Sequence, residues 1–227
     1  MRAQLWMGAL WLACGASAWG QGVFLPSLGG GSVAVPVTSV HASRLARTVR
    51  QQYDFSCGSA AVATLLTHHY DHAVSEQEVF EAMYARGDQQ KIQTEGFSLF
   101  DMKRYLQDQG FEADGFEQSL DKLAQARVPA IVLINEHGYN HFVVIKGVKE
   151  DRVLIGDPAS GTRSMAREVF EASWPNRLLF VIHNRMEQAQ FNLAADWRAA
   201  PQAPLASGVG RDSLATSNLI RSGAGDF

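Results

Sequence analysis

Cysteine is nearly missing from this chain: 227 residues carry two, Cys14 and Cys57. Two cysteines exclude a disulfide framework as the source of the fold. Long apolar runs are missing as well. The most apolar stretch, Leu5 to Ala13, falls well short of the about 20 residues a transmembrane helix needs. Nor is there a surplus of either charge, with 20 basic against 23 acidic residues and a net charge of −3. That balance gives no basis for nucleic-acid binding or a polybasic membrane patch. Internal repeats are absent too. The length suits one domain of ordinary size with tails.

The start, MRAQLWMGALWLACGASAWGQG, has one basic residue, a short apolar run and then small residues at Ala16-Ser17-Ala18 and Ala18-Trp19-Gly20. This is the pattern of a secretory signal peptide over residues 1–20, with export to the periplasm as its consequence. A retained membrane anchor is the alternative, and the run is short for one. Cys14 after Leu12-Ala13 has a faint lipoprotein character, but Trp11 fits that poorly, so Cys14 is expected to leave with the signal. Loss of Arg2 then leaves 19 basic against 23 acidic residues, a charge of −4.

Residues 21–47, rich in Gly, Ser, Val and Pro, are expected to form a linker or irregular arm. Within them Gly29-Gly30-Gly31 resembles a double-glycine cleavage site, though a flexible linker explains it more simply. Residues 187–227, rich in Ala, Pro, Ser and Gly, are expected to be mostly disordered. The domain then spans 48–186. Its first half has helical periodicity from Cys57 to Tyr70, from the capping box Ser75-Glu76-Gln77-Glu78 to Gly87, from Ser98 to Gly110, and from Ser119 to Ala126. Its second half has Val/Ile-rich runs at 130–135, 141–148, 152–157 and 178–183, with a helical piece near 166–172. Helices first and antiparallel strands afterwards predict an α+β domain with its cleft where the halves meet.

After signal removal Cys57 is the remaining thiol, in QQYDFSCGSAA. An unpaired cysteine in an oxidising compartment is a reactive group, a partner for another chain, or a small buried hydrophobe. Its place at a predicted helix start, behind the candidate caps Asp54 and Ser56, predicts a stabilised thiolate suited to attacking a carbonyl. Such a nucleophile needs an imidazole, an orienting group and oxyanion donors. His68, His69 and His72 form the cluster HHYDH, read as a polar surface at a frayed helix end. His141 opens an apolar strand, where a polar side chain is expensive without a task or partner. A hairpin centred near residue 149 or 150 would bring Asp157 opposite residues 141 to 144. Asp157-Pro158 alone would be a simple turn former. Gln51 and Gln52, shortly before Cys57, could each supply a side-chain amide to the oxyanion.

Q-x5-C-G-x-A, then a histidine opening an HFVVI strand, then D-P sixteen residues later, resembles the C39 family of cysteine peptidases over about residues 46 to 186. The resemblance implies a papain-like fold and Cys57 as nucleophile, His141 as general base and acid, and Asp157 as the orienting residue. It selects Gln51 over Gln52 as the oxyanion donor, and it implies cleavage after glycine or other small residues. No metal or organic cofactor is implied. One departure is Ser56, where the family commonly has an acidic residue before the cysteine. The exported start makes the chain similar to stand-alone members of the family that act in functional-amyloid secretion. Its expected partners are therefore exported proteins: amyloid fibril subunits or other secretion-system components, in biofilm matrix assembly. A non-catalytic peptide-binding adaptor or chaperone is the alternative, and amide hydrolysis or acyl transfer on peptidoglycan by the same residues is a third.

Overall fold

A computed structural model describes residues 22–26, 32–36 and 38–200. The signal segment 1–20, the Gly29–Gly31 stretch and the tail beyond residue 200 lie outside the described residues. Strands β1 (Gly22–Pro26) and β2 (Ser32–Pro36) pair antiparallel, Gly22 opposite Pro36, in a compact unit of their own. The β-branched valines of SVAVP favour such pairing. A second unit begins at Val40 with helix α1 (Val40–Leu45). The arm expected to be irregular thus contains a hairpin and a helix.

Helices α2 (Cys57–His69), α3 (Glu76–Arg86), α4 (Gln89–Glu95) and α5 (Leu99–Asp108) follow. The expected capping box opens α3: Ser75 Oγ accepts from the Glu78 amide at 3.2 Å, while the Ser75 amide donates to Glu78 Oε2 at 2.8 Å. Ser98 and Asp101 repeat the arrangement at α5, and such caps contribute about 1 kcal/mol each. Helix α2 is buried nearly all round, which marks a core helix rather than a surface one. At its second residue, Gly58, a Cβ would stand 2.8 Å from Met102 Cε and 3.0 Å from Phe97 Cβ. Only glycine lets α5 and its lead-in approach the start of α2 so closely.

The remaining elements are β3 (Ala113–Glu117), α6 (Leu120–Ala126), β4 (Ala130–Glu136), β5 (Tyr139–Val148), β6 (Arg152–Asp157), β7 (Gly161–Ala166), α7 (Arg167–Ser173), β8 (Leu178–Ile182) and α8 (Ala194–Ala199). Six of the strands form one antiparallel sheet in the order β3-β8-β4-β5-β6-β7. This is the α+β arrangement expected. Phe142 and Val144 pack with Leu65, Leu66, Met102 and Phe111 on the α2 side. Val143 and Ile145 pack with Leu123, Phe170 and Trp174 on the α6/α7 side. Covering both faces explains why β5 is apolar without alternation. Each large side chain so buried contributes about 1.5–3 kcal/mol.

The disorder expected from Glu187 is corrected as far as residue 200. Asn192 hydrogen-bonds both the amide and the carbonyl of Val148, at 2.9 and 3.1 Å, and its own amide donates to the Lys146 carbonyl at 2.9 Å. Phe191 is buried, and Asp196 on α8 pairs with the buried Lys146. Polar contacts, rather than the large apolar residues that composition registers, fasten this segment. Among the described residues no helix is long and apolar enough to cross a membrane.

Candidate active site

Cys57 opens α2 and is 7 % exposed. Ser56 holds the N-cap position without a side-chain capping bond. Its hydroxyl instead closes the preceding turn, accepting from the Tyr53 amide and donating to the Tyr53 carbonyl, both at 3.1 Å. The helix-end amides are therefore left for other work. Backbone N–H groups of Phe142, Gly58 and Cys57 itself act on the thiol, each lowering its pKa.

These donors favour a thiolate, as the helix position predicts, but they do not prevail. Burial is the larger effect and pushes the Cys57 thiol up from its ordinary range, and the nearby Asp157 charge adds to it. The expectation of a stabilised thiolate at rest is corrected accordingly. His141 is shifted the other way: burial lowers its pKa, the Asp157 and Glu136 carboxylates oppose that, and Arg163 reinforces it. Both shifts favour the neutral forms of the thiol and the imidazole.

His141 stands opposite Ile134 near the turn of the β4–β5 hairpin, and the next residue, Phe142, supplies a backbone N–H that acts on the Cys57 thiol. Gly156 on β6 pairs with Val144, which places Asp157 abreast of Val143, within the register expected. His141 and Asp157 are then diagonal neighbours on one face of the sheet, with Nε2 3.8 Å from Asp157 Oδ2. Asp157 does both things its sequence suggests. Oδ1 accepts from the Ala159 and Ser160 amides at 2.9 and 3.3 Å, forming the turn, while Oδ2 faces the imidazole.

Gln51 is held in the turn before Cys57: its amide donates to the Pro158 carbonyl at 3.1 Å. Its side-chain Nε2 donates to the carbonyls of Tyr53, at 3.0 Å, and Asp54, at 3.4 Å, while Oε1 is buried without a partner. The donors of this side-chain amide are thus turned into the loop. Tyr139 on β5 donates from its hydroxyl to the same Asp54 carbonyl at 3.0 Å, joining the hairpin to this turn.

Two residues escaped the sequence reading. Glu136 ends β4, with Oε2 4.0 Å from His141 Nε2. Arg163, on β7 opposite Ile155, places Nη2 2.6 Å from Glu136 Oε2 and 3.0 Å from Asp157 Oδ2. Glu136 lies five residues before His141, in NEHGYNH, and that proximity was the available signal. Arg163 could be found only by recognising β7. Glu136, His141 and Asp157 cluster tightly enough for a metal ion, yet the Arg163 guanidinium already binds the two carboxylate oxygens such an ion would use. This donor set does not fit a metal.

The other histidines lie elsewhere. His69 is fully buried, with Nδ1 2.6 Å from the Gln190 carbonyl, and burial pulls it down to about 3; His68 falls to about 4 for the same reason. The polar surface expected of HHYDH is corrected at His69, which the segment after Glu187 covers. His183 pairs with Asp114 at 3.0 Å, and His137 sits in the β4–β5 turn with φ +53°.

Residues 46–186 match the Peptidase C39 family. The "Probable functional amyloid protease FapD" of Pseudomonas fluorescens is 39 % identical over 173 residues, 76 % of each chain. The protein of that name from Pseudomonas aeruginosa is 41 % identical over 154 residues, 68 % of each chain. The lactococcin-G-processing and transport ATP-binding protein LagD of Lactococcus lactis is 29 % identical over 137 residues, 59 % of this chain but 18 % of its own length. Among solved structures, the peptidase domain of Streptococcus ComA superposes with a TM-score of 0.50 at 22 % identity, covering 60 % of this chain and 97 % of that one. That likeness gives the papain-like fold.

Proposed function

As a member of the peptidase C39 family this chain is a cysteine peptidase, and we propose that it is a periplasmic endopeptidase that cleaves exported proteins. In this reading the Cys57 thiol gives its proton to His141 as the sulfur attacks a peptide carbonyl. The Cys57 amide and the Gln51 side chain bind the oxyanion that forms. Asp157 steadies the imidazolium, His141 returns the proton to the leaving amine, and water then releases the acyl-enzyme. The observation that carries it is the meeting of three elements: Cys57 at the start of α2, the Phe142 amide acting on its thiol, and Asp157 at the nitrogen of the adjacent His141. A pair shifted towards its neutral forms requires proton transfer during attack. The Gln51 amide must likewise turn from the Tyr53 and Asp54 carbonyls when substrate arrives.

Export rests on the signal-like start. Functional-amyloid proteins as the substrate class are supported by two relatives named as functional amyloid proteases, and a cut after glycine or another small residue rests on the family resemblance. The test compares the N-termini of exported proteins in cells carrying wild-type or Cys57→Ala protein. Loss of defined cleavages in the variant is expected; unchanged processing overturns the reading.

The shift towards a neutral thiol and the inward-turned Gln51 amide favour a second reading, a peptide-binding adaptor without turnover. A peptide aldehyde ending in glycine separates the two. A peptidase forms a thiohemiacetal at Cys57 whose mass can be trapped, and an adaptor leaves the aldehyde unmodified.

A further inference from the structure

His141 Nε2 is buried and unpartnered, and it faces two carboxylates at nearly equal distance, Asp157 Oδ2 at 3.8 Å and Glu136 Oε2 at 4.0 Å. They arrive from separate strands, the ends of β6 and β4. Asp157 is fully committed, with two amides on Oδ1 and Arg163 Nε on Oδ2 at 3.0 Å. Glu136 is the more exposed of the two, so it has more freedom to follow the ring. We infer that Glu136 is a second positioning carboxylate for His141, and that Arg163, bridging both carboxylates, sets how much of their charge the imidazole experiences. The inference rests on the peptidase reading of His141.

The physical content is a balance of charge around one nitrogen. Each carboxylate favours the imidazolium. Asp157 also opposes the thiolate directly, but as the smallest effect there, whereas at His141 it is the largest effect opposing burial. The net favours the thiolate–imidazolium form, and the guanidinium opposes it. The charged groups around His141 are Asp157 from β6, Glu136 from β4 and Arg163 from β7, with the Tyr139 ring on its own strand, ring centroids 5.8 Å apart. Removing Glu136 and removing Arg163 must therefore act in opposite directions on the thiolate. A loss of mere structural support would move both the same way.

The test is the rate of Cys57 alkylation by iodoacetamide between pH 5 and 9, read by mass on the Cys57 peptide of the full chain carrying Cys14→Ser. Since one pKa unit is a factor of ten, Glu136→Gln is expected to slow the neutral-pH rate about three- to tenfold and Arg163→Met to raise it by a similar factor. Arg163→Lys, which keeps the charge, stays between wild type and Arg163→Met. Any other ordering overturns the inference. If Arg163→Met does not fold, Glu136→Gln and Arg163→Lys decide it: a slower Glu136→Gln with Arg163→Lys at or above the wild-type rate supports the inference, and any other result sinks it. Alkylation reads the thiol without turnover. A Cys57→Ala protein that still cleaves peptides would remove the peptidase reading and leave the charge balance at His141 measurable on its own.

Discussion

The ammonium of Lys146 lies 2.6 Å from the Asp196 carboxylate, and neither side chain has any exposure to solvent. Lys146 stands where the β5–β6 register slips, between Ile145 and Gly147, and also donates to the Arg47 carbonyl at 2.6 Å and Thr162 Oγ1 at 3.3 Å. Arg47 Nε meets the same Asp196 carboxylate at 3.1 Å. One buried cation thus ties together the segment leading to Gln51, the strand bearing His141, the strand bearing Arg163, and α8. Asp196 belongs to a part of the chain beyond residue 186, where the family match stops.

Breaking that pair from one side is expected to be costly. Asp196→Ala strands a buried ammonium and should lower stability by about 3–5 kcal/mol, whereas replacing both partners, as in Lys146→Met with Asp196→Leu, should return most of it. Urea unfolding of the single and double variants checks this. A double variant no better than the single ones would mean that the polar contacts of Lys146, not its charge, hold the segment.

His69 makes stability depend on acid. Its pKa is held at about 3 in the folded protein against 6.5 in the open chain, so the unfolded state binds the extra proton across that window. Stability is therefore complete above pH 6.5 and falls as the pH drops towards 3, by on the order of 3 kcal/mol between pH 7 and 4. His68, at about 4, adds in the same direction. Melting temperatures across that range should fall in the wild type and fall less in His69→Asn, which keeps a donor for the Gln190 carbonyl.

Gln51→Ala removes the proposed oxyanion donor, whose Nε2 the resting site holds on the Tyr53 and Asp54 carbonyls. With one such donor gone, kcat should drop roughly 10²–10³-fold. The KM should change much less, because the amide acts on charge that develops during attack. Steady-state kinetics on a cleavable peptide give the split; an equal rise in KM with kcat intact would assign Gln51 to binding instead.

Gly58→Ala brings a methyl group within 2.8 Å of Met102 Cε and 3.0 Å of Phe97 Cβ. Met102 can yield at its flexible end, but Phe97 meets the new atom at its own Cβ. Overpacking of this kind costs about 1–3 kcal/mol. The melting temperature should fall accordingly, and shortening Met102 to Val in the same chain should recover only part of the loss.

The sequence made the interior legible and the periphery much less so. Helices opened by Ser75 and Ser119 carry capping signals, and the strands at 130–136 and 152–157 are apolar because neighbours lie on both sides of them. The two edge strands, ADGFE and GTRSMA, have one sheet neighbour each and no pattern to read. Missing β7 hid Arg163. At the site, the approach of His141 and Asp157 followed from hairpin arithmetic, whereas the state of Cys57 did not. A helix start is visible in sequence, but how deeply the sulfur is buried depends on the core cluster it joins, whose members, Phe142 and Phe180 among them, lie far along the chain. The segment after Glu187 was illegible for a similar reason, since its anchors are single polar residues, Asn192 and Asp196, whose partners lie on β5.

The position of Asp196 has a consequence for how the protein comes into being. Synthesis delivers Cys57 early and the counter-charge of Lys146 nearly last, after β8 has supplied the strand between β3 and β4. Until then the sheet is unclosed and its central strand carries an uncompensated cation at a position destined for the interior. A chain cut short before Asp196 would leave that cation without its carboxylate.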